Sequence, residues 1–329
     1  MPGGAVRDIL AASPAAVAGL VRETYLLHGR GGTVNPSSHF LRFPARPDSR
    51  IIALPAHLEG DQPVSGLKWI ASYPANIERN LPRASAVLIL NDAATGYPLA
   101  CLEASQISAA RTAASAALAA AALAAGGRVR SAGFVGAGVI ARTVCDYLAA
   151  GPLPVTECSV YDRVPRYAEK LAGYAQDRHG WSSRADDDLG KVIASSDLVV
   201  LATTASRPHL TDPGLFRPGQ VILHLSLRDI DPAIMLGCTN IVDDVDHCLT
   251  AQTSAHLAEQ ASGARDFVAG TLADVLGGQL TLDADRPVVF SPFGLGVLDL
   301  AVGRYVYQAA RRDGRAIEVD GFFADLMRW

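Results

Sequence analysis

The sequence lacks the features that mark several large classes of protein. Its 329 residues contain five cysteines, with no Cys-x-x-Cys pair and no zinc-ligand spacing among them. The net charge is only -4 and no run of basic residues is present, so nothing in the composition attracts a nucleic acid. We therefore expect reduced cysteines buried as small apolar residues, no bound metal and no nucleic-acid partner.

Signals for export or membrane insertion are also missing. The first eight residues contain no apolar stretch of the kind found in a secretory signal. The longest run of small apolar residues, 109–125, is mostly alanine and contains Arg111, which favours a packed helix over a membrane span. Because 49% of the residues are hydrophobic, the chain can bury a large core. We expect a cytoplasmic protein without a membrane partner.

A glycine loop in the middle of the chain is the most informative motif. One apolar run ends at Gly136-Ala137-Gly138 and the next ends at Asp162, about 24 residues later, as in a dinucleotide-binding fingerprint. Gly136 permits a tight turn, and Gly138 lets the backbone approach a pyrophosphate at the start of a helix. Asp162 would bind the adenosine ribose diol and repel a 2′-phosphate, which favours NAD, while the adjacent Arg163 leaves some use of NADP open.

Strands and helices are expected to alternate from this loop onward. Apolar runs predict strands at 131–135, 157–162, 197–202, 220–225, 240–243 and 287–291. Strands that alternate with helices form a parallel sheet. The predicted fold class is α/β, with a Rossmann doubly wound parallel sheet that binds NAD within residues 121–299.

The rest of the chain predicts a discontinuous mixed α+β domain made of residues 1–120 and 300–329. Its apolar runs are short and punctuated by proline and glycine. They predict a helix at 15–27, strands at 50–54, 67–72, 85–91 and 99–102, and a helix at 105–125 that ends at Gly126-Gly127. The last two strands are expected to form a hairpin, and a final helix, 298–312, is expected to return to this domain.

Polar residues follow three strands of the predicted parallel sheet, at the edge where open sheets bind their ligands. Thr203 and Thr204 follow one strand, Ser226 and Asp229 follow another, and Asp162 follows a third. Asp229 is the candidate acid or base. An aspartate in such a position is also explained by a helix cap or a solvated turn.

Two cations stand in segments that are otherwise uncharged. Lys68 interrupts an apolar strand, and Arg111 interrupts a helix of alanine, serine and threonine. Because a buried cation needs an anionic partner, each can hold a substrate carboxylate or a cofactor phosphate. An internal salt bridge, for example with Glu103, accounts for them equally well.

Other titratable residues are given structural interpretations. Four of them resemble a set of metal ligands: Asp243, Asp244, Asp246 and His247. No further ligand at helical spacing accompanies them, so helix caps and turns are the preferred interpretation. Five histidines are scattered singly and are interpreted as structural: His39, His57, His209, His224 and His256.

Taken together, these motifs resemble the ornithine cyclodeaminase/μ-crystallin family. The resemblance rests on Gly66-Leu67-Lys68, Pro74 with Asn76, Asn91-Asp92 with Thr95-Gly96, Arg111-Thr112-Ala113-Ala114, the glycine loop and Asp229. Within the family, four stretches are most similar to the N-(2-amino-2-carboxyethyl)-L-glutamate dehydrogenases, which make 2,3-diaminopropionate for siderophores and peptide antibiotics: 65–74, 81–92, 224–229 and 291–296.

The resemblance implies an NAD-dependent oxidoreductase of amino acids that works as a homodimer, with the first domain supplying the subunit contact and the substrate pocket. It implies Asp229 and Lys68 as catalytic residues. The implied substrate-binding residues are Arg42, Lys68, Arg111 and Phe293. The implied cofactor-binding residues are Ser85, Arg111, Thr112, Gly136, Ala137, Gly138, Val139, Ile140, Asp162, Arg163, Thr203, Thr204, Ser226 and Leu227. A pyridoxal-phosphate-dependent enzyme of the cysteine synthase type is the implied pathway partner.

The implied activity is oxidative hydrolysis of N-(2-amino-2-carboxyethyl)-L-glutamate to 2-oxoglutarate and L-2,3-diaminopropionate. Three alternatives are a cyclodeaminase-type lyase, a ketimine or imino-acid reductase, and a μ-crystallin-like protein that binds dinucleotide without turnover. Ser226-Leu227-Arg228 and Pro232-Ala233 replace the glycine-rich turn and the Gly-Lys of the cyclodeaminases, which argues against ornithine cyclisation. The presence of Asp229 together with Lys68 and Arg111 argues against a purely binding role.

Overall fold

The computed structural model describes residues 1–124, 129–282 and 285–323. Over these ranges the first part of the chain builds an antiparallel sheet and its helices. The elements are α1 (Gly3–Ala12), α2 (Pro14–Gly29), β1 (Thr33–Val34), β2 (His39–Phe43), β3 (Arg46–Leu58), β4 (Val64–Ser72), a 3-10 turn (Pro74–Arg79), β5 (Ala84–Asp92), β6 (Pro98–Glu103) and α3 (Ser105–Leu123). The strand order is β1-β3-β4-β5-β6, and β2 also pairs with β3.

The alternation of side chains along these strands separates two faces of the sheet. Leu54, Lys68 and Leu88 lie opposite one another on one face, and all three are buried. Trp69 and Val87 lie opposite each other on the other face, where both are exposed. The strand register therefore turns Lys68 into the interior of the protein.

The second part of the chain builds the parallel sheet. Its elements are β7 (Ser131–Val135), α4 (Val139–Ala149), β8 (Glu157–Tyr161), α5 (Pro165–His179), β9 (Ser182–Ala185), α6 (Leu189–Ala194), β10 (Leu198–Leu201), β11 (Val221–His224), α7 (Pro232–Leu236), β12 (Thr239–Val242), α8 (Val245–Cys248), α9 (Ser254–Ser262), β13 (Val268–Thr271), α10 (Leu272–Leu276), β14 (Val288–Ser291) and α11 (Gly296–Arg312).

The order of this sheet is β13-β12-β14-β11-β10-β7-β8-β9, and every pairing is parallel. The chain runs outward from β7 to β8 and β9, then crosses back to β10 on the other side of β7. A ligand crevice is expected at the carboxyl ends of β7 and β10, where the direction of winding reverses. The predicted α/β Rossmann sheet beside a separate antiparallel sheet is confirmed.

Two helices connect the two sheets. α3 packs against α2 and α4, whereas α11 packs against α2, β3 and β4. α11 lies close to the antiparallel sheet, because a Cβ atom at Gly303 of this helix would overlap the side chain of Leu88 on β5. Since α3 contacts helices of both parts, the predicted boundaries at residues 120 and 299 stay a prediction.

Short elements account for most differences from the sequence prediction. β9 and β13 have four residues each and are largely exposed or half-buried, so they contain no apolar run. α1, β1 and β2 were not predicted, and β3 is 13 residues long where only 50–54 was expected. The β5–β6 hairpin is confirmed, with the Thr95 N–H donating to Asp92 in its turn. The predicted helix end at Gly126-Gly127 lies outside the described residues.

All five cysteines are free, and four of them are buried. The expectation of burial is wrong for Cys101, which is exposed on β6. Cys101 lies opposite Ile89, which lies opposite Leu67 on β4. These positions belong to the same face of the sheet as Trp69, so this strand residue points away from the interior.

Within the described ranges, no single helix has the length and apolar character needed to cross a membrane. Only α1 and α2 taken together meet the length and composition criteria, and the pair is bent by 89°. Both helices contribute buried side chains to the core, among them Val6, Ile9, Val17 and Val21.

Candidate active site

The glycine loop joins β7 to α4 at the carboxyl edge of the parallel sheet. Gly136 has a φ of +93°, and a Cβ atom there would lie 2.6 Å from the carbonyl oxygen of Ala202, so this turn requires glycine. Gly138 precedes the first residue of α4 and faces open space. No side chain caps the first N–H groups of that helix. The loop therefore fits a pyrophosphate at a helix N-terminus.

Asp162 follows β8 and is tied to the glycine loop. Its Oδ2 atom accepts a hydrogen bond from the N–H of Ala137 at 2.9 Å, and its Oδ1 atom accepts one from the N–H of Val164 at 2.9 Å. Each carboxylate oxygen has a second acceptor position. Asp162 thus holds the loop in place and can still accept a ribose hydroxyl.

A cavity of about 610 Å³ opens beside Asp162 at the ends of β8 and β9. Its lining carries four acidic side chains, Asp162, Glu169, Asp186 and Asp187, against two cations, Arg163 and Lys191. The excess of negative charge disfavours a 2′-phosphate at this position. The residues present fit NAD.

Asp229 follows β11 and is fully buried. Its Oδ1 atom accepts the Thr203 hydroxyl at 2.5 Å and lies 3.0 Å from His209 Nε2, while its Oδ2 atom accepts the Ser226 hydroxyl. Burial opposes ionisation of Asp229, but the hydrogen bonds, led by that of His209, outweigh it and hold its pKa well below the usual range. The group is an ionised carboxylate at the carboxyl edge of the sheet.

His224 contacts the backbone of Asp229. Its Nε2 atom accepts the backbone N–H of Asp229 at 3.1 Å, so its Nδ1 atom carries the proton and donates to the Ser291 hydroxyl at 3.2 Å. The same Nε2 atom lies 3.4 Å from the Asp229 carboxylate. It cannot donate to that carboxylate while it accepts the amide, so we interpret His224 as a support for the backbone of Asp229. The structural interpretation of His224 agrees with these contacts.

The segment before Asp229 has an unusual backbone. Leu227 has a φ of +72°, a conformation that costs a non-glycine residue free energy and that is concentrated at functional sites. Its carbonyl oxygen accepts the N–H of Ser254 at 2.7 Å, which holds the loop in this form. Thr203 and Ser226 bond to Asp229, whereas Thr204 is exposed at the end of β10.

Lys68 and Arg111 meet at a carboxylate that sequence reasoning did not identify. Lys68 Nζ lies 2.6 Å from Asp299 Oδ2, and Arg111 Nε lies 3.3 Å from Asp299 Oδ1. Lys68 is 2% exposed and Asp299 is 0% exposed. Burial lowers the pKa of Lys68 to about 8, an effect that Asp299 opposes and Arg111 reinforces. Two cations share the carboxylate of Asp299, and the charge of Arg111 also acts on the buried carboxyl group of Asp243.

Arg111 retains free donor groups in this arrangement. Its Nε atom bonds to Asp299, but its two terminal nitrogens form no hydrogen bond with any described residue. They lie against Gly294, where a Cβ atom would come within 2.6 Å of one of them. A guanidinium with unused donors can bind a carboxylate in two places at once.

The internal salt bridge that was the alternative interpretation of these two cations is present, but its acid is Asp299 and not Glu103. The Glu103 carboxylate accepts the N–H groups of Ser105 at 2.7 Å and Gln106 at 3.3 Å, at the start of α3. Asp299 was missed although a signal existed. It is the one acid in the apolar stretch 296–302, and a buried acid needs a cation as much as a buried cation needs an acid.

The remaining residues implied by the resemblance are distributed around this cleft. Phe293 follows β14 and donates its N–H to Asp243 at 2.9 Å, while its ring stacks on His247. Thr112 is half-buried beside Arg111, and Arg42 is exposed on β2. Val139 and Ile140 form the first turn of α4. Ser85 lies opposite Ala71 on the exposed face of the antiparallel sheet, away from Lys68, so the structure does not bring it to the cleft of its own chain.

The acidic cluster after β12 has separate internal partners. Asp243 accepts the N–H groups of Phe293 and Gly294, and burial raises its pKa. Asp244 caps α8, and Asp246 pairs with Arg265. Among the described residues, no group of three or more histidine, cysteine or acidic side chains is arranged to hold a metal ion.

His209 is the other residue that the sequence did not single out. Its side chain is 40% exposed while its Nε2 atom lies 3.0 Å from the buried Asp229 carboxylate. It therefore lies between that carboxylate and solvent, and its structural interpretation stays a prediction.

The sequence model of the ornithine cyclodeaminase/mu-crystallin family matches residues 10–314. The chain belongs to this family. The resemblance inferred from the motifs is confirmed.

Three relatives illustrate the range of the family. The N-((2S)-2-amino-2-carboxyethyl)-L-glutamate dehydrogenase of Staphylococcus aureus is 27% identical over 301 residues, which cover 88% of each chain. The Thermococcus litoralis Δ1-pyrroline-2-carboxylate reductase, solved with NADH and L-proline, superposes with a TM-score of 0.87 at 25% identity over 93% of this chain and 96% of that one. An archaeal alanine dehydrogenase dimer with bound NAD superposes with a TM-score of 0.86 at 25% identity over 98% of both chains.

These relatives are dehydrogenases and reductases, and two of them were solved with NADH or NAD. The loop at Gly136 and the carboxylate of Asp162 provide for the same dinucleotide here. The chain is an NAD-dependent oxidoreductase that acts on the CH–NH group of an amino acid.

Proposed function

We propose that this enzyme oxidises and hydrolyses N-(2-amino-2-carboxyethyl)-L-glutamate to 2-oxoglutarate and L-2,3-diaminopropionate. The observation that carries the proposal is the pair of cations Lys68 and Arg111 at Asp299, with the terminal nitrogens of Arg111 left unbonded by the described residues. A substrate with several carboxylates suits a site that offers such donors. The 27% identity to the dehydrogenase named for this substrate supports the same choice.

The reaction balances as substrate, NAD⁺ and water giving 2-oxoglutarate, 2,3-diaminopropionate, NADH and a proton. NAD supplies the hydride acceptor when it is bound. The C–H bond at the glutamate Cα breaks as its electron pair leaves with the hydride, and the lone pair of the secondary amine forms the C=N bond of an imine. Water then adds to the imine carbon, and the C–N bond breaks to release the primary amine.

Lys68 and Arg111 bind and orient the carboxylate beside the reacting carbon. The free terminal nitrogens of Arg111 can donate two parallel hydrogen bonds to it, and Asp299 fixes the direction of both cations. Orientation of this kind contributes to the rate by holding the C–H bond in line for transfer. The positive charge of Lys68 also disfavours a second positive charge on a nearby amine, which helps to keep the amine nitrogen of the substrate unprotonated.

Asp229 acts on the water that adds to the imine. As an ionised carboxylate it accepts a proton from that water, and the buried position keeps it fixed by Thr203 and Ser226. His209 lies between this carboxylate and solvent, so it passes the proton outward. A carboxylate whose pKa is held this low is a weak base, and transfer to His209 removes the proton that it gains.

We also propose the assembly and setting that the family resemblance implies. The exposed apolar face of the antiparallel sheet, with Trp69 and Val87 each 40% exposed, suits a homodimer contact, and the relative solved as a dimer supports this. The free cysteines suit a reducing cytoplasm. A cysteine synthase-like partner that makes the substrate, and use of the product in a siderophore or peptide antibiotic, complete the proposal.

The test is to incubate the purified protein with NAD⁺ and N-(2-amino-2-carboxyethyl)-L-glutamate. We expect NADH to accumulate with equimolar 2-oxoglutarate and 2,3-diaminopropionate, identified by mass spectrometry. L-Ornithine, L-alanine, and Δ1-pyrroline-2-carboxylate with NADH or NADPH are the comparison substrates. Faster turnover of any of these would replace the proposal, and release of ammonia from ornithine without NADH accumulation would identify a cyclodeaminase.

A further inference from the structure

A group of four arginines lies near one end of the antiparallel sheet, and three of them, Arg50, Arg83 and Arg228, have no role in the core or in the steps described above. Arg42 on β2 lies opposite Arg50 on β3, and Arg50 lies opposite Ser72 on β4. The Ser72 hydroxyl accepts a hydrogen bond from Arg83 Nη1 at 2.7 Å. Three guanidinium groups thus meet at one corner of the antiparallel sheet.

The fourth arginine comes from the parallel-sheet half of the protein. Arg228 precedes Asp229, and its Nη2 atom donates to the carbonyl oxygen of Ala251 at 2.7 Å. Burial lowers the pKa of Arg228, and the positive charge of Arg42 lowers it further while Asp229 opposes the change. The pKa of Arg50 is lowered by burial and then by the charges of Arg228, Arg83 and Arg42. Arg228 thus lies near enough to Arg42 and Arg50 for their charges to act on one another.

No acid among the described residues forms an ion pair with this group, although the charge of Asp229 acts on Arg228. Within the described ranges none of the four guanidinium groups has a carboxylate within 4.0 Å, and each is free of ion pairs. Three of them are half-buried. Partly desolvated like charges oppose folding, so an arrangement without an internal counter-ion suits an anion that arrives with the ligand.

The position of the group relative to Lys68 sets the size of that ligand. Ser72 and Lys68 lie on the same face of β4, four residues apart, or about 13 Å at the usual rise of a strand. A ligand that contacts both groups therefore needs anionic groups at both ends of an extended chain. A monocarboxylate held at Lys68 would leave the arginines unused.

We propose that Arg50, Arg83 and Arg228 join Arg42, which the family resemblance already implies in substrate binding, in a second anion subsite that binds the substrate carboxylates remote from the reacting carbon. This inference rests on the proposed function, because it assumes that Lys68 and Arg111 hold the carboxylate beside that carbon. It makes the four arginines the residues that select amino acids with several carboxylates over alanine, proline or ornithine.

The experiment measures binding without turnover, using NADH in place of NAD⁺ to form a dead-end complex. Two amines are compared by calorimetry: N-(2-amino-2-carboxyethyl)-L-glutamate, and N-(2-aminoethyl)-L-2-aminobutyrate, which keeps the carboxylate beside the reacting carbon but lacks both remote ones. We expect the wild-type protein to prefer the first at least a hundredfold. We expect Arg50→Gln to weaken it roughly ten- to a hundredfold while binding the second amine unchanged.

Arg83→Gln serves as an independent second variant, and NADH affinity reports whether each variant is folded. Arg7→Gln is the matched control, since this exposed arginine pairs only with Asp8 and its removal should change neither affinity. Equal binding of the two amines by the wild-type protein would overturn the subsite. Equal weakening of both amines in Arg50→Gln and in Arg83→Gln would overturn it as well.

The same data separate this inference from the proposed reaction. A protein that prefers the tricarboxylate and loses that preference in Arg50→Gln, but oxidises no substrate, retains the subsite and refutes the reaction. A protein that oxidises the tricarboxylate with an unchanged KM in Arg50→Gln and Arg83→Gln retains the reaction and refutes the subsite.

Discussion

The two halves of the cleft are built in different ways. The nucleotide half is made of backbone: a glycine with positive φ, the free N–H groups of α4, and one carboxylate tied to the same loop. The substrate half is made of side chains from distant segments, since Lys68, Arg111 and Asp299 come from β4, α3 and α11. A backbone site is specified by a short motif, whereas a side-chain site exists only after the whole chain has folded.

The largest expected effect concerns the chemistry at the boundary of the two halves. Asp229→Asn should reduce kcat by about a hundred- to ten-thousandfold, because the amide cannot accept a proton from water. NAD binding should be retained, because Asp229 contacts neither the glycine loop nor Asp162. Stopped-flow measurement of NADH formation and a separate NAD titration check both parts. Full turnover by this variant would remove Asp229 from the mechanism.

The next prediction tests whether the substrate half depends on its buried acid. Asp299→Asn removes the counter-charge of Lys68 and Arg111 and should lower the free energy of unfolding by about 3–5 kcal/mol, as expected when a buried ion pair loses one partner. Urea denaturation provides the measurement. Asp8→Asn, at an exposed acid, is the control and should change stability by no more than about 0.5 kcal/mol. A similar small change in Asp299→Asn would show that the carboxylate is not needed to hold the two cations.

The pH dependence of stability tests the burial of the Lys68 ammonium group. The pKa of Lys68 is lowered from 10.5 to about 8 in the folded protein, so the unfolded chain binds the extra proton between these values. The cost of burying the ammonium is therefore present below pH 8 and is relieved as the pH rises towards 10.5. Relative to Lys68→Met, the wild-type protein should gain stability over this range, by about 3 kcal/mol at most. Parallel pH curves for the two proteins would contradict the lowered pKa.

Two glycine substitutions give the smallest effects and separate turn geometry from ligand contact. Gly136→Ala should lower the free energy of unfolding by about 1–3 kcal/mol, because its φ is positive and the added Cβ atom meets Ala202. Gly138→Ala has room for the new atom, so its stability should change by no more than about 0.5 kcal/mol. It should nevertheless weaken NAD binding, since the methyl group occupies the approach of the pyrophosphate. Unchanged NAD affinity in Gly138→Ala would place the pyrophosphate elsewhere.

The nucleotide half of the site could be predicted from the sequence more completely than the substrate half. The glycine loop, Asp162 and the alternating strands were readable because each depends on neighbours in the chain. Lys68 and Arg111 were recognised as cations in need of a partner, but Glu103 was named because it is close in sequence. Asp299 lies 188 residues from Arg111, and only the return of α11 to the antiparallel sheet brings them together.

The hardest residues to predict were those whose position depends on contacts with distant segments of the chain. His209 is an ordinary histidine in the sequence, and its contact with Asp229 depends on how the segment after β10 folds back over β11. Arg50 and Arg83 stand in segments whose register had to be known before they could be placed beside Arg42. Ser85 was placed with the cofactor by resemblance, yet the pleat of β5 turns it to the other face.

The most direct measurement is a crystal structure of the protein with NADH and N-(2-amino-2-carboxyethyl)-L-glutamate. The account predicts one substrate carboxylate within hydrogen-bond distance of the terminal nitrogens of Arg111 and of Lys68 Nζ, with the reacting carbon between the nicotinamide ring and Asp229. A substrate bound elsewhere, with Lys68 and Arg111 in contact only with Asp299, would contradict it.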